Sequence, residues 1–209
     1  GLPMVDCDGM GRALPELQMV TFTIGGVKAT PMALTDEKGN SAIFNTITNK
    51  WTEELARAVT MSCGGSVTVG LYIMTGATMK AYGVKNIVTR SEMLGKAIRE
   101  VKDQEGLSPE EAFLRSCEGY RLFRGKIVDV LRETNGAFNL GHILLEGIGD
   151  DRGQTAEVSF QNENLAATVN GEIRATVPDL ICLVDTETFT PVTTEALKYG
   201  KRVLVVGLK

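Results

Sequence analysis

The densest group of residues that could do chemistry lies near the start of the chain, in a short segment rich in aspartate and glycine. If residues 4–8 form a strand, Asp6 and Asp8 lie on the same face at its end, because side chains alternate along a strand. Gly9 and Gly11 then form a turn whose backbone can approach a ligand closely, since glycine has no side chain. This spacing predicts a small polar cleft at the end of the strand.

Arg12 and Glu16 follow this turn and can complete the cleft. A carboxylate there can act as a general base or as a metal ligand, and Arg12 can bind a carboxylate or an imide oxygen. The residue types equally allow a structural interpretation, in which Asp8 accepts hydrogen bonds from its own turn and Arg12 pairs with Glu16. Both interpretations stay open here. A dinucleotide fingerprint is excluded, because Leu14 stands where that motif needs a third glycine.

The same segment carries a resemblance to a known family. Residues 6–19, DCDGMGRALPELQM, which we call the motif, closely resemble the D-x-D-G-M-G-R-A-F-P-E-L-Q signature of the S-methyl thiohydantoin desulfurase family. The similarity continues through four further stretches and covers nearly the whole chain: residues 91–99, 160–165, 177–181 and 194–203. Leu14 replaces the phenylalanine of the signature, which is a packing change.

The resemblance implies an enzyme that replaces sulfur by water at C2 of a small five-membered thiohydantoin ring and releases a thiol. Such a reaction needs a base that activates water and a donor that stabilises charge on the ring. We therefore expect Asp8 or Glu16 to act as the base and Arg12 to act as the donor.

Further residues are expected to bind the substrate: Asp6, Gly9, Gly11, Asn162 and Glu163. The last two lie between two predicted strands, where a solvated turn is the alternative interpretation. No ligand spacing identifies a cofactor. The cofactor therefore stays unknown, and a divalent metal held by Asp6, Asp8 and Glu16 stays open.

An alternative function is non-catalytic, with the chain serving as a small-molecule-binding or oligomerisation module of the same family. A buried carboxylate cluster beside a pocket would favour the enzyme. A solvated motif together with a large flat apolar face would favour the binding module.

The ends of the chain predict a fragment of a longer protein. Both ends are apolar, at residues 2–5 and 203–208, whereas native termini are usually polar and loosely held. Members of the resembled family also begin with a further N-terminal segment. The expected partners are a small-molecule substrate, this missing N-terminal part of the same protein, and further copies of the chain in a homo-oligomer.

Composition excludes other classes of protein. A net charge of −4 over 209 residues argues against nucleic-acid binding, which needs a basic face. The first residues lack the basic and apolar regions of a signal peptide. The longest uncharged run, residues 58–79, carries four glycines and several hydroxyl residues and is too polar for a membrane helix. We therefore expect a cytoplasmic protein.

The order of predicted elements is typical of the α+β class: short strands, then about three helices, then a β-rich, barrel- or sandwich-like C-terminal half. The first helix is predicted from Asn49 as N-cap, with Trp51, Leu55 and Val59 on its apolar face. The second spans Ser91 to about Gln104. The third follows a capping box at Ser108–Glu111.

Seven strand-like stretches follow residue 120, with a hairpin turn at Asn170–Gly171. A further strand is predicted at residues 66–74. We expect two domains. Residues 1–47 would be the remainder of a catalytic-type N-terminal domain that carries the motif, and residues 48–209 an α+β C-terminal domain.

Overall fold

Two compact units, residues 1–89 and residues 90–209, make up the chain in the computed structural model. The structure describes residues 3–13, 15–101, 106–135 and 138–208. Within these residues it has five α-helices and twelve strands, and the longer strands lie in the second unit. The predicted α+β class with a β-rich C-terminal half is therefore confirmed, while the predicted domain boundary after residue 47 stays a prediction. None of the helices in the described ranges is long and apolar enough to cross a membrane.

Short elements build the first unit. Its strands are β1 (Cys7–Asp8), β2 (Met32–Thr35), β3 (Ser41–Phe44), β4 (Thr68–Gly70) and β5 (Val84–Lys85). Its helices are α1 (Thr21–Ile24), α2 (Asn49–Ser62) and α3 (Gly76–Tyr82), and α4 (Ile87–Glu100) begins at its end. β1 pairs with β5, and β2 lies between β3 and β4, with every pairing antiparallel.

The loop between β2 and β3 is a tight turn held by the side chain of Asp36. The carboxylate Oδ1 of Asp36 accepts hydrogen bonds from the backbone nitrogens of Lys38 at 2.9 Å and Asn40 at 2.8 Å. Met32 and Leu34 alternate along β2 and are buried against Ala56 of α2. The small sheet thus supports α2 through an apolar contact.

The N-cap of α2 is Thr48, and the prediction of Asn49 is wrong. The Thr48 side chain accepts a hydrogen bond from the Trp51 nitrogen at 3.3 Å. Asn49 is instead occupied by a distant contact, because its Oδ1 accepts from the Ala29 nitrogen at 2.8 Å. Asn49 therefore binds a distant part of the chain and does not cap the helix.

The helix α2 is confirmed, but its predicted apolar face is right only for Val59, which packs against the core cluster that contains Ala56. Trp51 and Leu55 are 49% and 42% exposed. The buried side chains of α2 are Thr52, Glu53 and Ala56. The helix is rotated away from its most apolar stripe, because polar partners elsewhere in the unit hold Glu53.

The strand predicted at residues 66–74 shrinks to the three residues of β4, and α3 follows without having been predicted. Tyr72 has φ of +55°, a left-handed conformation that ends an extended strand. The side chain of Thr75 then caps α3 by accepting from the Thr78 nitrogen at 3.2 Å.

The second unit contains most of α4, and then α5 (Pro109–Cys117). The predicted capping box of α5 is confirmed: the Ser108 hydroxyl accepts from the Glu111 nitrogen at 3.3 Å, and the Glu111 carboxylate accepts from the Ser108 nitrogen at 2.9 Å. The predicted second helix corresponds to α4, which begins four residues earlier, at Ile87 instead of Ser91, and ends at Glu100. Residues 102–105 lie outside the described ranges.

All seven strands predicted after residue 120 are present: β6 (Tyr120–Asn135), β7 (Phe138–Gly147), β8 (Thr155–Gln161), β9 (Glu163–Val169), β10 (Glu172–Thr176), β11 (Leu180–Asp185) and β12 (Arg202–Leu208). They form one antiparallel sheet in the order β10-β9-β8-β7-β6-β12-β11. The sheet curls into a half-barrel. Asn164 of β9 donates to the Ile181 carbonyl of β11 at 2.9 Å.

The sheet is buried on both faces near its centre. One face holds the larger core, whose fully buried side chains include Phe123, Ile127, Ile143, Leu145, Val158, Val203 and Val205. On the other face Leu204 and Val206 pack in a cluster with Phe113 of α5, which stacks on Phe189 at 5.1 Å between ring centroids. Strand β12, which pairs with β6 and β11, therefore carries the continuous apolar run near the end of the sequence.

Candidate functional site

Asp8 ends β1 and accepts two hydrogen bonds from the turn that follows it. Its Oδ1 lies 2.7 Å from the Met10 nitrogen and 2.5 Å from the Gly11 nitrogen. Gly11 has φ of +75°, which residues with a side chain rarely adopt. The structure thus shows the turn-forming role that the sequence left open for Asp8.

Gly9 is buried where the turn crosses α1. A Cβ atom at this position would lie 2.9 Å from the Cβ of Val20 and 3.0 Å from the Phe22 ring. Its carbonyl accepts hydrogen bonds from the nitrogen and the hydroxyl of Thr21, at 2.7 and 2.9 Å. Glycine is therefore required for close packing here, and its predicted contact with substrate stays a prediction.

Asp6 binds the start of α4. Its carboxylate accepts from the Val88 nitrogen at 2.8 Å, the Thr89 nitrogen at 3.3 Å and the Thr89 hydroxyl at 2.5 Å. The Thr89 hydroxyl, followed by the two backbone nitrogens, lowers the pKa of Asp6. This contact explains why α4 begins before the predicted residue.

The predicted metal ligands Asp6, Asp8 and Glu16 are not brought together. The first carboxylate binds the start of α4 and the second binds its own turn. Among the residues that the structure describes, no group of three or more His, Cys, Asp or Glu side chains is arranged to hold a metal ion.

Glu16 lies at a cavity and is held there by polar neighbours. Its Oε2 lies 2.7 Å from Nζ of Lys50, and Gln18 donates to the same oxygen through Nε2. The Lys50 ammonium, followed by the Gln18 amide, lowers the pKa of Glu16. The carboxylate is therefore ionised at neutral pH.

Three residues distant in the sequence hold the backbone of residues 15–17 around Glu16, and we call them the clamp: Glu53, Arg57 and Tyr72. Arg57 donates to the Pro15 carbonyl at 2.7 Å. Glu53 accepts from the Leu17 nitrogen at 2.9 Å. Tyr72 donates to the leucine carbonyl at 3.2 Å. The peptide segment is thus fixed on both sides of the glutamate.

An ion pair within α2 forms the centre of the clamp. Glu53 is 3% exposed, and Nε and an Nη atom of Arg57, one turn later, contact its carboxylate. An unpaired buried carboxylate would be costly, so this pair and the leucine N–H stabilise Glu53 in place. Tyr72 is anchored by the Thr23 hydroxyl at 2.7 Å, and burial raises the pKa of Tyr72.

The cavity beside the clamp has a volume of about 360 Å³, within the range typical of small-molecule sites. Of the three predicted catalytic residues, Glu16 belongs to its lining, whereas Asp8 and Arg12 are not among the described residues that line it. Arg12 is half-buried in the turn after Gly11. The lining consists of Pro15, Glu16, Leu17, Val20, Phe22, Glu53, Arg57, Leu71, Tyr72, Met74 and Met79.

Asn162 and Glu163 lie in the second unit, at the turn between β8 and β9. Asn162 has φ of +58°, and its Oδ1 accepts from the Asn139 nitrogen at 2.8 Å. Its carbonyl accepts from the Thr194 hydroxyl at 2.6 Å. These bonds build the turn, and the predicted substrate contacts of both residues stay predictions.

A second cavity, of about 460 Å³, lies in the second unit and is lined by charged side chains that pair with one another. Arg121 contacts Glu110 at 3.5 Å, Asp150 at 3.3 Å and Asp151 at 2.7 Å. Because Arg121 is already paired with carboxylates and no motif residue is among the described residues that line this cavity, the cavity of the first unit is the candidate site.

The sequence did not reveal the clamp. A weak local signal exists for two of its members, because Glu53 and Arg57 are spaced i, i+4 on a helix, where opposite charges pair. Tyr72 gives no such signal, since its contact with the motif joins residues 55 positions apart.

Comparisons with known proteins agree with this architecture. A family model described as S-Me-THD-like, N-terminal domain, matches residues 1–46, and one described as S-Me-THD-like, C-terminal domain, matches residues 47–209. A search of curated proteins found no match. A crystal structure of a protein from Chromobacterium violaceum has the same fold, with a TM-score of 0.74 and 22% identity over 98% of this chain. This chain spans 58% of the length of that protein. The two family models together cover the whole chain, which therefore belongs to the S-Me-THD-like family.

Proposed function

We propose that the chain carries the substrate cavity of an enzyme that hydrolyses S-methylated five-membered thiohydantoins. Water adds its oxygen to C2 of the ring, the C2–S bond breaks, and the sulfur leaves with a proton as methanethiol. The ring is left as a hydantoin, with a carbonyl at C2, so no oxidant or reductant is needed. Membership of the S-Me-THD-like family supports this reaction class.

The observation that carries the proposal is the position of Glu16 at the cavity of the first unit. An ionised carboxylate at the edge of a largely apolar cavity can take a proton from water as the water attacks. The proximity of Lys50 and Gln18 keeps Glu16 ionised. Asp8 is the weaker choice for the base, because it is not among the described residues that line the cavity.

The charge that develops on the ring needs a donor. Arg57 lines the cavity, so its guanidinium can stabilise the negative charge that develops on the ring in the transition state. The role first predicted for Arg12 stays a prediction.

The test compares Glu16→Gln with Asp8→Asn in the full 209-residue chain. Methanethiol and the hydantoin product are measured by chromatography, using an S-methyl thiohydantoin as substrate. We expect Glu16→Gln to lower kcat by about 10²- to 10⁴-fold. Asp8→Asn should keep most of the turnover, since an amide oxygen can still accept from the turn.

Glu54→Gln is the matched control, because Glu54 is exposed on α2 and does not belong to the described cavity lining. Unchanged turnover in Glu16→Gln would refute the role of Glu16. Hydantoin binding without thiol release by the unaltered chain would support the non-catalytic binding module instead. Light scattering of the same samples tests the expected homo-oligomer.

A further inference from the structure

The cavity of the first unit has two chemically different sides. The polar side comes from the motif and α2: Glu16 and the clamp pair Glu53 and Arg57. The apolar side comes from α1 with its preceding residue and from the segment before and within α3: Val20, Phe22, Leu71, Met74 and Met79.

Tyr72 lies between the two sides and belongs to both. Its hydroxyl donates to the backbone of the motif, at Leu17. Its ring contacts the Phe22 ring, with 5.7 Å between the centroids. This anchored side chain therefore contacts both groups of lining residues.

The two chemically different sides of the cavity can orient a five-membered ring. The polar edge of a thiohydantoin, with its nitrogens and its carbonyl, matches the side of Glu16 and Arg57. The substituent on ring carbon C5 then extends toward the apolar side. A charged substituent there would lose its water and find no opposite charge among the described residues of that side.

We propose that the chain selects substrates with an uncharged, apolar substituent at C5, received by Phe22, Met74 and Met79. This inference rests on the proposed function. Methionine side chains are flexible and adapt to irregular shapes, so the selection is for apolar character and tolerates different shapes. Ring systems with leucine-, methionine- or phenylalanine-type substituents belong to the preferred class.

The experiment measures kcat/KM of the unaltered chain for four S-methyl thiohydantoins with isobutyl, benzyl, carboxymethyl and aminobutyl groups at C5. We expect the two apolar substrates to exceed the two charged ones by about 100-fold. Equal values across the series would overturn the inference and leave the proposed function standing. Turnover of none of the four would overturn both.

A variant pair sharpens the result. In Met79→Lys, a positive charge on the apolar side should raise kcat/KM for the carboxymethyl substrate about tenfold or more. Met61→Lys is the matched control, because Met61 is 54% exposed on α2 and is not among the described residues of the cavity lining. An unchanged kcat/KM for the carboxymethyl substrate in Met79→Lys would contradict the inference. If Met79→Lys fails to fold, the substrate series on the unaltered chain decides.

Discussion

Different interactions stabilise each of the two units internally. In the second unit, seven strands share one continuous ladder of backbone hydrogen bonds over a large apolar core. In the first unit, the sheets have two and three strands, and polar side chains bind distant backbone segments. The comparison indicates that the second unit resists unfolding through packing. The geometry of the first unit, and of its cavity, depends on a few polar contacts.

The largest effect should follow from a cavity in the second unit's core. Ile143 is fully buried on β7, so Ile143→Ala should lower the free energy of unfolding by about 2–5 kcal/mol. Ile173→Ala is the same change at a side chain that is 70% exposed, and it should cost about 0.5 kcal/mol or less. Urea unfolding followed by circular dichroism measures both. Equal costs would refute the assignment of stability to packing.

A smaller loss is expected from the clamp. Arg57→Met leaves the buried Glu53 carboxylate without its cation and should lower the free energy of unfolding by about 2–3 kcal/mol. This loss is smaller than that for a fully buried ion pair, because Arg57 is 27% exposed. The single tryptophan, Trp51, lies on the same helix and reports the transition by its fluorescence.

The control is another i, i+4 pair, between Lys96 and Glu100 of α4, whose side chains are 66% and 56% exposed. Lys96→Met should cost no more than about 0.5 kcal/mol. A cost for Arg57→Met as small as this would show that the clamp does not stabilise the first unit.

Helix caps allow a closer comparison of the units. Ser108→Ala removes the reciprocal capping box of α5 and should cost about 1 kcal/mol. Thr75→Ala removes the simpler cap of α3 in the first unit and should cost about 0.5 kcal/mol. Hydrogen exchange of the first-turn amides locates each loss. Faster exchange throughout the chain in either variant would contradict a local effect.

The smallest effect concerns the pH dependence of stability in the first unit. Lys50 lowers the pKa of Glu16 below the ordinary value of 4.5. A carboxyl with a lowered pKa stabilises the fold above its unfolded pKa, and this stabilisation is lost as the pH falls through the folded pKa. Lys50→Met should therefore be less stable than the unaltered chain at neutral pH, and the difference should vanish in acid.

Urea unfolding across this pH range measures the difference between the two proteins. Lys198→Met is the control, since Lys198 is exposed in the second unit and should show no such pH dependence. If the difference in free energy of unfolding between Lys50→Met and the unaltered chain does not change with pH, Lys50 does not act through the ionisation of Glu16.

Features with local causes were predictable from the sequence. Asn170 and Gly171 have positive φ angles of +51° and +81°, as a two-residue hairpin turn requires. The capping box at Ser108–Glu111 is likewise complete within four residues. The seven strands follow from alternation and turn residues, which need no knowledge of distant contacts.

Features set by distant contacts were not predictable. Asn49 looks like an N-cap but binds Ala29, and Glu53 looks like a surface residue but binds the backbone 36 positions earlier. Tyr72 has a left-handed backbone conformation within a predicted strand, and its hydroxyl contacts the motif 55 positions earlier. For the candidate site, the motif identified Glu16, whereas the clamp depends on tertiary structure.

The contact between Asp6 and the start of α4 also has a consequence for folding during synthesis. It joins residues 82 and 83 positions apart, and the pairing of β1 with β5 closes a loop of similar length. Closing long loops costs chain entropy and slows folding. All described residues that line the cavity precede residue 80, yet the segment that anchors the motif leaves the ribosome after them. The motif is therefore translated before the residues that anchor it, and a chain released before Val88 would hold all the described cavity residues without the contact that secures the start of the motif.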